Sequence, residues 1–345
     1  MSNLVRLLVS PLEPLHLGLG DLGGPESFSV DSVTRVPPPT TILGALGNYL
    51  NVRLTNVCNG LINGSYSFED LIQLVSEIFG EKDISAQDLI NYNKEPLLWG
   101  PLIYMRGNGK YYVSTGDVYI ERNELLKFVE SIIKKLLKPT PDESPTQVEK
   151  RLIVQESTRI GVSIDRSTGT VSNMYRARFV NYKEDIEMVY LLKRPSNGLL
   201  GSMLNESYGS SNNIGGGGAQ VLTRLGGEGR VALISFEDGD ADLWGGGELA
   251  VTLQPILYYQ DRAGMKLSEI RGLECIDEVY GIYSNGRLKV RTMHLGLGFS
   301  EVCGVRRPIL QALPAGTIIK LRKECGNAKS VGLLSMLGYG SLLKL

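Results

Sequence analysis

The sequence predicts an α+β protein, and three observations carry that reading. Strand-like and helix-like runs are mixed along 345 residues without the regular β-α-β spacing of a doubly wound sheet. The segment Asn123 to Lys138, "NELLKFVESIIKKLLK", is apolar at helical spacing. The stretch "TRIGVSIDRSTGTVSNMYRARFV", Thr158 to Val180, reads as two alternating arms joined by a polar turn, which is the pattern of a β-hairpin.

Taken in order, "LVRLLVS" is a first strand that Pro11 and Pro14 bring to an end. A glycine-rich loop follows. In "SVTRVPPPTTILGALGNYL" three prolines hold the chain extended, and Thr40 or Thr41 is placed to cap a helix with Ile42, Leu43, Leu46 and Leu50 on one stripe. Ser67 to Leu89 is helical in pattern, and the helix at 123–138 stops at Pro139. "PTPDESPTQ" then reads as an exposed connection. After the hairpin, "DIEMVYLLKR" from Asp185 to Arg194 is a strand opening the second half. The length suits two domains, expected at 1–182 and 183–345. A Gly/Ser/Asn-rich loop, "NESYGSSNNIGGGG", leads to the strand "RVALISFED". The last third offers strands in "LAVTLQPILYYQ", in "VYGIYSNGRLKVRTMHLGL" with its Asn285-Gly286 turn, and in "GTIIKLR", before a glycine-punctuated end.

Composition excludes several classes. Hydrophobic residues make up 42%, and no run approaches the ~20 uninterrupted apolar residues that span a bilayer. The N-terminal apolar run is too short and too soon broken to be a secretory signal, so a cytoplasmic protein is expected. Net charge is −1, so any nucleic-acid contact must rest on local patches. Cys58, Cys275, Cys303 and Cys325 form no CxxC pair and are expected to be reduced and mostly buried.

Motifs that suggest cofactors fail in context. Gly18, Gly20 and Gly23 satisfy GxGxxG after a strand, but Pro25 and a β-rich run follow where a dinucleotide turn needs a helix. Asp238, Asp240 and Asp242 are spaced like calcium ligands, yet Leu243 and Leu249 stand where that loop needs Gly and Glu. No cofactor and no metal are expected. With only His16 and His294, an imidazole-rich metal cluster is ruled out, although either could serve as a general base on a 2′-hydroxyl. "VLTRLGGEGRVAL" sets Arg224 and Arg230 around Gly226, Gly227 and Gly229, bare backbone that can approach a phosphate or a splayed nucleotide.

Several segments, in order, resemble the RAMP superfamily of CRISPR-associated proteins and, within it, the family of third subunits of the type III-B Cmr complex. "PLEPLHLG" resembles the family's opening strand and loop, and "TRVPPPTTILGALGNYL" its proline-rich helix entry. "TRIGVSIDRSTGTVSNMYRARFV" is similar to its IG-D-x-x-T-G-T hairpin, and "RLGGEGRVAL" to its LGGE-R element. "RRPILQALPAGTIIKL" resembles its RP-x(5)-PAG-T strand entry, and "GLLSMLGYGSLL" the glycine-rich loop. Where family members carry Arg-Asp-Gly after the first strand, this chain has "HLGLGD", and the middle, Tyr66 to Tyr119, shows no counterpart.

The resemblance implies two ferredoxin-like (RRM-like) domains facing each other, with helical insertions and a protruding hairpin. It also implies a subunit without catalytic activity that holds the 5′ handle of the CRISPR RNA between the large cyclase-type subunit and the backbone RAMP subunits. The RNA contacts expected are Arg35, Thr40, Thr41, Arg159, Arg166, Met174, Tyr175, Arg176, Arg178, Arg224, Gly226, Gly227, Arg230, Arg306 and Arg307. Two other readings stay open: a RAMP-type endoribonuclease processing precursor RNA with His16 or His294 as base, and a protein scaffold acting through the middle region.

Overall fold

The computed structural model describes residues 3–19, 33–55, 57–58, 68–91, 95–137, 148–164, 167–183, 185–209, 220–227, 229–239, 241–300 and 302–345. Outside them lie Gly20, Gly23, Pro25, Asp240, Arg166, the "PTPDESPTQ" connection and most of the Gly/Ser/Asn-rich loop.

The strands of the first part are β1 (Leu4–Pro11), β2 (Leu98–Met105), β3 (Lys110–Ser114), β4 (Tyr119–Glu121), β5 (Lys150–Arg151), β6 (Val154–Ile164), β7 (Val171–Tyr182), β8 (Ile186–Lys193), β9 (Val221–Arg224) and β10 (Val231–Asp238). Those of the second are β11 (Leu249–Thr252), β12 (Ile256–Tyr258), β13 (Ile276–Ser284), β14 (Arg287–Lys289), β15 (Met293–Gly296), β16 (Phe299–Ser300), β17 (Val305–Arg306), β18 (Ile309–Leu313), β19 (Ile318–Leu321) and β20 (Leu342–Lys344). The helices are α1 (Pro39–Tyr49), α2 (Glu69–Phe79), α3 (Ala86–Ile90), α4 (Arg122–Leu137) and α5 (Gly198–Gly209).

An eight-stranded sheet runs β5-β4-β3-β2-β8-β1-β10-β9. Its centre is antiparallel, with β1 between β8 and β10 and β8 between β1 and β2. Taken alone, the four central strands β1, β2, β8 and β10, with α1 after β1 and α5 after β8, follow the order β-α-β-β-α-β; β3 to β7 and α4 are inserted between β2 and β8, and β9 precedes β10. The boundary expected at 182/183 falls inside this sheet, because β8 and β10 pair with β1 or β2 on its near side and β9 pairs with β10; the sheet ends only at Asp238. Beyond it stand a five-stranded sheet, β14-β13-β19-β11-β20, and a three-stranded one, β12-β18-β15. The mixed α/β architecture agrees with the expected class.

Local chemistry explains most elements. In β1, Val5, Leu7 and Val9 are buried at alternate positions. On α4, Leu125, Phe128, Val129 and Ile132 form the buried stripe that the periodicity predicts. The single helix expected over 67–89 is instead two, α2 and α3. Gly80 closes α2 at φ +71°, and a Cβ there would lie 2.6 Å from the Asn197 carbonyl carbon, so the helix ends where another backbone crosses it. The expected threonine cap is also replaced: Pro38 occupies the N-cap and Pro39 the first turn of α1.

One core joins Val5, Leu7 and Val9 of β1, Ile42, Leu43 and Leu46 of α1, and Leu334, Leu337 and Tyr339 near the C-terminus. Trp99 Nε1 donates to the Leu342 carbonyl at 2.9 Å, tying β2 to the last strand.

The expectation of reduced cysteines is overturned. Cys58 is bonded to Cys303 and Cys275 to Cys325, with Cα separations of 5.3 and 5.6 Å. The partners lie 245 and 50 residues apart, so no local spacing announces them. No helix among the described residues is long and apolar enough to cross a membrane.

Candidate nucleic-acid interface

After Pro11 the chain turns through Glu13 and runs as a short extended piece, Leu15 and His16, between two distant motifs. On one side Leu15 N–H donates to the Val180 carbonyl at 3.0 Å and Val180 N–H returns to Leu15 at 2.8 Å. On the other, Gly227 N–H donates to the His16 carbonyl at 3.0 Å. Two residues therefore hold the root of the β6–β7 hairpin against the turn between β9 and β10. Gly226 must be glycine, since its φ is +80° and a Cβ would sit 2.8 Å from the His16 oxygen.

Phe179 is the centre of this junction and is 3% exposed. The Arg159 guanidinium lies 5.0 Å and the Arg230 guanidinium 4.8 Å from its ring centroid. The His16 ring packs on it at 5.6 Å, and His16 Nδ1 lies 2.9 Å from the Arg178 carbonyl, an acceptor, so Nδ1 is the donor. Arg230 Nη1 donates to Glu13 at 2.6 Å, and Val231 N–H donates to the same carboxylate at 3.0 Å. The Arg230 hydrogen bond holds the Glu13 carboxyl below its usual 4.5.

The hairpin has two different faces. Arg159 pairs across to Ala177, whereas Arg176 and Arg178 pair with Ile160 and Thr158. Directly opposed residues share a face, so Arg159 and Phe179 lie on one side and Arg176 and Arg178 on the other. The three arginines of the hairpin are thereby divided between its two faces. On the second face Glu156 stands between Arg178, 3.5 Å away, and Arg35, 3.4 Å away, leaving two cations for one carboxylate. Arg35 also donates from Nη1 to the Gly116 carbonyl at 2.6 Å and borders a cleft of about 250 Å³ with Asp117, Pro101, Arg291 and Pro314. Arg159, Arg176 and Arg224 are exposed and enter no ion pair among the described residues. The side chains of Met174 and Tyr175 on β7, and Arg166 as a whole, lie outside what is described.

Three expected contacts are corrected. Thr40 is 6% exposed and its hydroxyl is 3.0 Å from the Tyr339 hydroxyl. Thr41 N–H donates to the Pro38 carbonyl at 2.9 Å, and Pro37 to Pro39 are buried, so this helix N-terminus is closed to a phosphate. Arg307, whose side chain is 10% exposed, donates from Nε at 2.6 Å to Asp70, whose side chain is wholly buried. It is an internal ion pair. Its neighbour Arg306 is exposed on β17.

Sequence reasoning missed Glu13 and Phe179. The alternation of β7 was a signal for Phe179 facing Arg159; nothing local marks Glu13 as the partner of a residue 217 positions on. His294 is exposed on β15, away from this junction's hydrogen bonds. Among the described residues no three His, Cys, Asp or Glu side chains gather as metal ligands.

No family model matches the chain. It is 24% identical over 373 residues to the CRISPR system CMR subunit Cmr3 of Saccharolobus solfataricus, covering 99% of this chain and 96% of that protein. A chain in the cryo-EM structure of the type III-B Cmr-beta bound to cognate target RNA matches with a TM-score of 0.59 and 21% identity over 98% of this chain and 96% of that one. A chain in the structure of Cmr-beta bound to cognate target RNA and AMPPnP, state 1, matches with a TM-score of 0.58 and 20% identity over 98% and 95%. These likenesses are ones of fold, shared over nearly the whole length: the chain is built as a component of the Cmr-beta particle is built.

Proposed function

We propose that this chain is a noncatalytic RNA-binding subunit of a type III-B CRISPR (Cmr) effector, which caps the 5′ handle of the guide RNA in antiviral defence in the cytoplasm. The observation that carries the reading is the junction at the hairpin root. Two guanidinium groups over the Phe179 ring, beside the bare Gly226-Gly227 backbone, offer the charge and the close backbone approach that suit an unpaired strand. The full-length likeness to a Cmr3 subunit supports the assembly.

On this reading the β-α-β-β-α-β order around β1 is the first of two facing ferredoxin-like halves, and the later sheets are the second. The large cyclase-type subunit and the backbone RAMP subunits are the protein partners. Exposed Leu126 and Leu137 on α4, eleven residues apart and so on nearly one face at 100° per residue, are apolar surface for such a contact. A cleaving role for His16 fits less well, since its ring is held by Phe179 and the Arg178 carbonyl.

The test is direct titration of the full chain with labelled handle RNA. Arg159→Ala together with Arg230→Ala should weaken binding at least tenfold, since each charge-assisted hydrogen bond contributes roughly 1.5–3 kcal/mol. Handle binding that survives those changes and the loss of Arg176, Arg178 and Arg224 places the RNA elsewhere; cleavage abolished by His16→Ala or His294→Ala overturns the noncatalytic reading.

A further inference from the structure

The ribbon made of β16 and β17 is too short to stand alone, since two-stranded hairpins are marginal in water. It is nevertheless fixed at three points. Cys303, near the tip, is bonded to Cys58. Arg307, just past β17, reaches Asp70 through Nε and donates through Nη1 to the carbonyls of Phe299 and Leu297 at 3.1 and 3.4 Å. At the root, Gly296 N–H donates to the Leu19 carbonyl at 2.7 Å.

What these fixings present to solvent is specific. Phe299 and Arg306 are directly opposed partners in the ribbon, so their side chains leave the same face. Phe299 is 53% exposed, and Arg306 is exposed and enters no ion pair among the described residues. A large ring left in water beside an unneutralised guanidinium stabilises nothing within the chain. The pair does match one unit of single-stranded nucleic acid, a base face for the ring and a phosphate for the fork. The holding points mean that little ordering remains to be done on binding. Leu19, which holds the approach to the ribbon, is only three residues beyond His16, roughly 10 Å of extended chain.

We propose, resting on the RNA-binding reading above, that the β16–β17 ribbon is a second, preorganised contact for single-stranded RNA, with Phe299 stacking on an unpaired base and Arg306 holding the adjoining phosphate. The disulfide to Cys58 keeps the pair in register, so the contact weakens when that bond is reduced.

The experiment is fluorescence anisotropy of the full chain with one labelled RNA, single-stranded and as a duplex, over a salt series. Phe299→Ala should weaken single-strand binding about 5- to 150-fold and duplex binding little, while Phe299→Trp preserves it. Arg306→Ala should lower the salt slope by about one. Cys303→Ser should give a smaller loss, matched by adding reductant to the unaltered chain. Thermal midpoints should not move for the Phe299 and Arg306 variants, because both side chains are exposed. If Phe299→Ala binds single strands as tightly as the unaltered chain while Arg159→Ala with Arg230→Ala does not, the ribbon proposal fails and the hairpin-root reading stands. If the unaltered chain binds no RNA, both fail. If Phe299→Ala keeps RNA affinity but is lost from the assembled particle, the ribbon is a protein contact and the proposal is overturned.

Discussion

The hairpin root and the N-terminus of α1 start from similar sequence material and end in opposite conditions. Each sets a prominent arginine near a short backbone turn. At the root, Arg159 remains exposed over Phe179, and Arg230 is shared between that ring and Glu13. Near α1, Thr40 is sealed against Tyr339, and Arg307 is spent on the buried Asp70. Residue type alone does not separate an exposed arginine from an internal one. What separates them is whether a distant acid or hydroxyl arrives first.

The largest expected effect breaks this contrast from the buried side. Arg307→Ala removes the guanidinium that neutralises the buried Asp70 carboxylate, and removing one member of such a pair costs about 3–5 kcal/mol. Denaturant unfolding should show that loss, and replacing both residues with apolar ones of similar size should recover much of it. A smaller effect tests the closed helix end. Thr40→Val removes the hydrogen bond to Tyr339 and should cost about 1 kcal/mol in unfolding, with unchanged RNA affinity; a drop in affinity without loss of stability would reopen that site to phosphate. The smallest concerns Glu13. Its folded pKa lies below the unfolded value near 4.5, so its stabilisation is present above that value and lost as pH falls through the folded one. Glu13→Gln should therefore lower stability slightly at neutral pH, and the difference from the unaltered chain should vanish as pH falls below about 4.5, which flattens the acid limb of the stability–pH curve.

Periodicity made α4 legible, because its buried residues repeat at the spacing of the helix, and β1 and β10 carry Val5, Leu7 and Val9, and Ala232 and Ile234, buried at alternate positions. It could not show β2. Seven of the eight residues from Leu98 to Met105 are buried, so alternation is erased and the run looks like any apolar segment. The split of the 67–89 helix turned on the crossing of Gly80 by Asn197, a contact over more than a hundred residues. The same holds at the site. Arg306 and Arg307 are adjacent and alike in sequence, and only the position of Asp70, 237 residues away, makes one internal. The "LGGE" element was readable as bare backbone near charge, but its neighbour His16 was not, since the Leu15–His16 bridge is a product of the assembled sheets.

The bond between Cys58 and Cys303 turns the stretch between them into a covalent ring carrying two tails. A single backbone cut inside that ring, wherever it falls, leaves the two pieces in one molecule that separates only under reducing conditions. Such a nick is invisible to denaturing electrophoresis without thiol.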